Sequence, residues 1–202
     1  MSRQVASHFA WSWVSTGAFY RGLAFYAKFK GVPIESEADL VGAIKGDQWK
    51  VALGAEKTLF ICEGEDLTEE IYSSEVGQLA SQISQFPEVR KELLAAQRAC
   101  ADGVTGLVAE GRDCGTVVFP DAELKFYLTA SGSDRAHRRA LQEGASVEKI
   151  EESQKIRDEQ DKNRKAAPMQ IPENAVVIDT SDLSLQEVVE LVNNKVQSHF
   201  NL

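Results

Sequence analysis

Apolar positions recur along this chain with two periods, and their alternation predicts the elements. Val5, His8 and Phe9 stand at i, i+3, i+4 spacing and predict a helix over 2–10. The apolar run at 11–14 predicts a short strand, with a turn at Ser15-Thr16-Gly17 capping the next helix. That helix carries Phe19, Tyr20, Leu23, Ala24 and Ala27 and stops near Gly31-Val32-Pro33. A helix over 37–45 follows, then two runs, 50–53 and 58–62, and a turn at 63–66 that together predict a small antiparallel patch. Helices are predicted over 74–85 and from Pro87 to about residue 101, the second with proline in its first turn.

Leu107, Val108 and Ala109 form an apolar strand ending in Glu110, and Val117-Val118-Phe119 is a further short run. The last third reads strand 124–128, charged helices 133–142 and 147–165, strand 175–178 and helix 185–198. Strands alternating with helices indicate an α/β fold with a parallel sheet. No internal repeat interrupts the 202 residues, and a hydrophobic content of 43% suffices for one domain.

Charge narrows the function. A net charge of -9 argues against a general binder of nucleic acid or anionic membrane. No apolar run approaches a membrane span, and the first ten residues lack the continuous apolar core of a secretory signal. Cys62, Cys100 and Cys114 share no CxxC spacing and fit a reducing cytoplasm, while Cys114, two residues from Arg112, leaves a cation-activated thiol open. His8, His137 and His199 show no metal-ligand spacing, so no metal site is expected on the protein.

Against this acidic background, arginines gather in a few places. Arg112 and Asp113 follow the strand at 107–110, where open α/β sheets bind ligands. A structural turn with a surface ion pair and an anion site both fit that stretch. Arg157, Asp161 and Arg164 lie at i, i+4, i+7 and share a helix face, and Arg135, Arg138 and Arg139 form a second cluster. Solvated helices with i,i+4 ion pairs explain those two clusters by themselves. Adding Arg21, Arg90 and Arg112 favours a polyanion, because guanidinium groups bind phosphate bidentately.

Five ordered blocks then resemble one family, the bacterial cytidylate kinases, which are nucleoside monophosphate kinases. Thr16-Gly17-Ala18-Phe19-Tyr20-Arg21 resembles the family's S-G-x-x-Y-R, and Glu63-Gly64-Glu65-Asp66-Leu67-Thr68 its E-G-E-D-V-(T/S). Residues 80–90, from Ala80-Ser81 to Phe86-Pro87-Glu88-Val89-Arg90, are similar to A-S-x-x-A-x-x-P-x-V-R. Residues 110–122 resemble D-G-R-D-x-G-T-V-V-F-P-D-A with Glu110 at the leading aspartate, and residues 157–168 resemble R-D-x-x-D-x-N-R-x-x-x-P.

The resemblance implies a P-loop NTPase-like domain over 1–202, with an NMP-binding insertion at about 38–88 and a helical lid at about 131–168. It implies transfer of the γ-phosphate of ATP to CMP or dCMP with Mg²⁺, by a cytoplasmic monomer. Ser81, Arg90 and Asp113 would read the cytosine edge, and Arg157 and Asp161 would hold the sugar. Arg21, Arg112 and Arg164 would clamp the acceptor phosphate, with Thr16 beside it. Arg112, Arg157 and Arg164 are the expected catalytic side chains, and Arg135, Arg138 and Arg139 would meet the donor phosphates.

The family opens with a strand and a G-x-x-x-x-G-K-[ST] loop, and no such run occurs in this sequence. The expectation is a chain truncated by roughly 20 residues, with the central strand and P-loop absent. A degenerate nucleotide-binding module and a UMP-type kinase are the alternatives. Lys162 and Gln160 stand where the family has lid arginines, and Thr129 where it has an aspartate.

Overall fold

The computed structural model describes residues 1–54, 57–144, 146–163 and 166–202, and the backbone alone of Gln142, Glu143, Ser153, Arg157 and Lys162. The chain divides into two units, one of residues 2–114 and one of residues 115–202 with Met1.

The first unit begins with α1 (Ser2–His8), which ends where Ala10 turns back at a φ of 53°. β1 (Ser12–Ser15) pairs in parallel with β5 (Leu107–Glu110), from Ser12 opposite Leu107 to Ser15 opposite Glu110. Between them α2 (Gly17–Lys30) buries Phe19, Tyr20, Leu23, Ala24 and Ala27, the stripe predicted from spacing. Gly31 ends it in the left-handed region at a φ of 69°, and Lys28 and Lys30 in the last turn complement the helix dipole.

α3 (Glu37–Lys45) starts at Ser36, whose hydroxyl accepts from the Asp39 amide. β2 (Trp49–Leu53), β3 (Thr58–Cys62) and β4 (Glu65–Asp66) form the expected antiparallel patch. Alternation on β3 buries Thr58, Phe60 and Cys62 on one face. α4 (Ser74–Ile83) is capped by the Ser73 hydroxyl, and α5 (Pro87–Ala99) opens on Pro87. The core of this unit joins Val14, Leu23, Leu40, Phe60, Ile71, Ile83, Val89 and Leu93.

In the second unit β6 (Phe126–Thr129) pairs in parallel with β7 (Val176–Asp179). α6 (Gly132–Glu143) and α7 (Val147–Asn163) pack through Ala136, Ala140 and Ile150. α8 (Leu185–Phe200) carries a full capping box between Ser184 and Glu187 and buries Val188, Val189, Val192 and Val196. Leu185, expected in that stripe, is 57% exposed because it occupies the first turn.

The architecture is mixed α/β with parallel strands, as expected, but the parallel strands occur as two pairs, one in each unit. The apolar run at 117–119 is not a strand: Cys114–Val118 winds into a π-helical turn. Only Val118 of that turn is buried, and no strand pairs with it among the described residues, so β-branched propensity has no ladder to join. Single π turns commonly mark functional sites.

Candidate functional site

In the first unit, α5 delivers Arg90 to a buried ion pair with the Asp113 carboxylate, the two side chains 8% and 9% exposed. Arg90 Nη1 also donates to the Ser84 carbonyl at 3.2 Å, and its guanidinium lies 5.3 Å from the centre of the Tyr20 ring. The Ser84 hydroxyl in turn donates to the Ser81 carbonyl at 2.8 Å. Hydrogen bonds therefore link Asp113, Arg90 and Ser84 to the main-chain carbonyl of Ser81. All three expected base readers meet in this buried row. A polar group left unpaired at that depth costs about 1–3 kcal/mol.

Arg21 leaves the second turn of α2 and reaches the 71–73 segment. Its Nη1 donates to the Ile71 carbonyl at 2.8 Å and the Ser73 carbonyl at 3.2 Å. Arg112 is half-buried at the end of β5, beside Asp113.

Thr16 departs from the expected geometry. It is 2% exposed, and its hydroxyl donates to the Glu110 carbonyl at 2.9 Å instead of capping α2. Its own carbonyl accepts from Gln97 Nε2 at 3.0 Å. A hydroxyl tied at that depth fixes the β1–α2 junction. Gly111 permits this approach, because a Cβ there would sit 2.0 Å from Thr16 Oγ1.

Cys114 is not an activated thiol. Burial first, then the charges of Asp113 and Glu110, push it up to about 12, so it stays protonated and inert at neutral pH.

In the second unit, the arginines expected at the donor are engaged with the protein. Arg135 Nη1 donates to Asp158 Oδ2 at 2.5 Å. Arg138 donates to the Thr180 hydroxyl at 3.0 Å and to the carbonyls of Thr180, Ser181 and Leu183. It thereby ties α6 to the β7–α8 turn. In that turn the Asp179 carboxylate accepts from the Ser181 amide at 2.9 Å, and these bonds from Ser181 hold it below the usual carboxylate range. Arg139 is half-buried on the same helix. Asp161 is 4% exposed on α7, and its carbonyl accepts from the Met169 amide at 2.8 Å. Arg157 lies on α7 with its side chain outside the description, and Arg164 lies outside the described residues.

Sequence reasoning missed Ser84, Gln97 and Tyr72. Gln97 was accessible in principle, since it follows Arg90 by two helical turns and shares its face. Ser84 and Tyr72 carry no spacing signal.

A family model described as "Cytidylate kinase" matches residues 1–198. The chain belongs to the cytidylate kinase family. It is 48% identical over 200 residues to a cytidylate kinase of Bdellovibrio bacteriovorus, covering 97% of this chain and 92% of that one. A cytidylate kinase of Pseudomonas aeruginosa PAO1 is 42% identical over 195 residues, covering 93% and 85%. One from Pseudomonas fluorescens Pf-5 is 38% identical over 200 residues, covering 96% and 87%. The expected truncation gains no support from these cytidylate kinase matches.

Among the described residues no helix is long and apolar enough to cross a membrane, and no three His, Cys, Asp or Glu side chains converge on a metal position.

Proposed function

We propose that this protein transfers the γ-phosphate of ATP to CMP or dCMP, giving ADP and CDP or dCDP. The observation that carries the reading is the buried Ser81–Ser84–Arg90–Asp113 row in a cytidylate kinase family chain. Cytosine presents an exocyclic amine donor where uracil presents a carbonyl acceptor. The Asp113 carboxylate accepts from that amine, and Arg90 and Ser81 supply donors to the ring acceptors. A UMP molecule would set oxygen against carboxylate, and a site built to pair a donor rejects its absence by on the order of 10⁴-fold.

An acceptor phosphate oxygen attacks the γ-phosphorus in line, one P–O bond forming as the bond to ADP breaks. Arg21, Arg112 and Arg164 hold the acceptor phosphate and offset its charge, with Thr16 fixing the turn before Arg21. Arg157 and Asp161 hold the sugar, and Arg112, Arg157 and Arg164 are the catalytic side chains. Residues at about 38–88 form the NMP-binding insertion and those at about 131–168 the lid. Arg135, Arg138 and Arg139 meet the donor phosphates, and Arg135 and Arg138 also brace the lid through Asp158 and the 180–183 turn.

Mg²⁺ would arrive with the donor, held chiefly by its phosphates, and would offset their charge. The protein acts as a monomer in the cytoplasm.

Steady-state rates with CMP, dCMP and UMP at saturating ATP test this. Phosphorylation of CMP and dCMP at least a hundredfold more efficient than of UMP is expected. Equal kcat/KM for UMP would overturn the base-reading roles, and tight CMP binding without turnover would overturn the transfer.

A further inference from the structure

The geometry points to Tyr72 as a positioning residue that holds the Arg21 guanidinium ready for the acceptor phosphate. The inference rests on the proposal that Arg21 binds that phosphate. Tyr72 ends a 3-10 turn, Glu70–Tyr72, between two fixed points. Ile71 on one side is fully buried, and Ser73 on the other caps α4 by accepting from the Val76 amide. The carbonyls of these two flanking residues are the ones that accept from Arg21 Nη1. Tyr72 itself is 43% exposed, and its ring centre lies 5.6 Å from the Arg21 Cζ.

The 71–73 segment therefore grips Arg21 in two ways. Two carbonyls take one arm of the fork, and the guanidinium lies over the aromatic ring. Backbone carbonyls alone set the direction of one nitrogen, whereas a ring contact also restrains rotation of the planar group. Burial, and behind it the charge of Glu110, push the Tyr72 hydroxyl up from its ordinary value, so the ring acts as a neutral π face. An exposed aromatic between a core anchor and a helix cap adds little to the core. Its removal is felt through Arg21.

The test is a kinetic cycle with Tyr72→Phe, Tyr72→Ala, Arg21→Ala and the double variant Arg21→Ala/Tyr72→Ala, reading KM for CMP and kcat separately. Tyr72→Phe keeps the ring and leaves KM unchanged. Tyr72→Ala raises KM for CMP by roughly two- to fivefold, the range of an exposed cation–π contact, with kcat little altered. In the Arg21→Ala background, Tyr72→Ala has no further effect. Where Arg21→Ala raises KM but Tyr72→Ala does not, the positioning role is overturned and the acceptor role of Arg21 stands. An equal Tyr72→Ala effect in both backgrounds also overturns it, since Tyr72 then acts independently of Arg21. Unchanged KM in Arg21→Ala overturns the acceptor role itself, and this inference with it.

Discussion

Replacing Asp113 by asparagine separates what the buried ion pair does for stability from its proposed role at the base. The Arg90 and Asp113 side chains are 8% and 9% exposed, so solvent screens their attraction weakly. Asp113→Asn keeps the shape but leaves the Arg90 charge buried, with the Ser84 carbonyl and the Tyr20 ring as its remaining acceptors in this row. Removing one member of a buried pair costs about 3–5 kcal/mol, and the retained amide oxygen and these neighbours place the cost near the lower bound, about 3 kcal/mol. With a urea slope of about 2–3 kcal/mol/M, the midpoint falls by about 1–1.5 M.

Trp11, Trp13 and Trp49, the only tryptophans, all lie in the unit that holds the pair, so their fluorescence follows the relevant transition. Removing both charges with Arg90→Met/Asp113→Leu recovers most of the loss, because no uncompensated charge remains. CMP selectivity stays lost in the double variant. A midpoint for Asp113→Asn within 0.2 M of the parent, or a double variant whose loss is the sum of the two single losses, would refute the argument; the former bound corresponds to about 0.5 kcal/mol.

Two further outcomes follow from contacts away from the base row. Gly111→Ala pushes the Thr16 hydroxyl off the Glu110 carbonyl and costs about 1–3 kcal/mol by urea titration. Adding Thr16→Ala removes the clashing oxygen, so a double variant less stable than Thr16→Ala by more than about 1 kcal/mol would contradict the close-approach reading. The second outcome concerns Glu187, whose carboxyl is held below its ordinary value by hydrogen bonding first to the side chain and then to the amide of Ser184. A lowered folded value means that its contribution is present above the unfolded value near 4.5 and lost as pH falls through the folded one. Melting temperatures of the parent and Glu187→Gln should therefore differ at pH 7 and converge near pH 3. A constant difference across that range would show that the capping box gains nothing from the charge.

The periodic stripes of α2 and α8 were legible because each follows from residues three and four apart. So was the helix stop at Gly31, whose partners lie within one turn, whereas the cap expected at Ser15-Thr16-Gly17 makes no side-chain bond to α2. The run at 117–119 misled because β-branched residues express strand preference only beside a partner strand. The site was half legible. The ordered blocks selected Ser81, Arg90 and Asp113, and the structure joins them, but Ser84 as the link between them carried no signal. Arg135 and Arg138 read as a basic face, and what the sequence did not signal is their bonding to Asp158 and the 180–183 turn.

From its residues alone this chain established the order of helices and strands, the acidic background and the family of its nucleotide-site blocks. Packing decided which polar groups each arginine meets. It also turned Thr16 inward, left Cys114 half-buried and set Tyr72 against Arg21. The division has a physical cause. Periodicity and capping are short-range and repeat within a turn, while the partners of a buried polar group come from segments far apart, and only the fold brings those together.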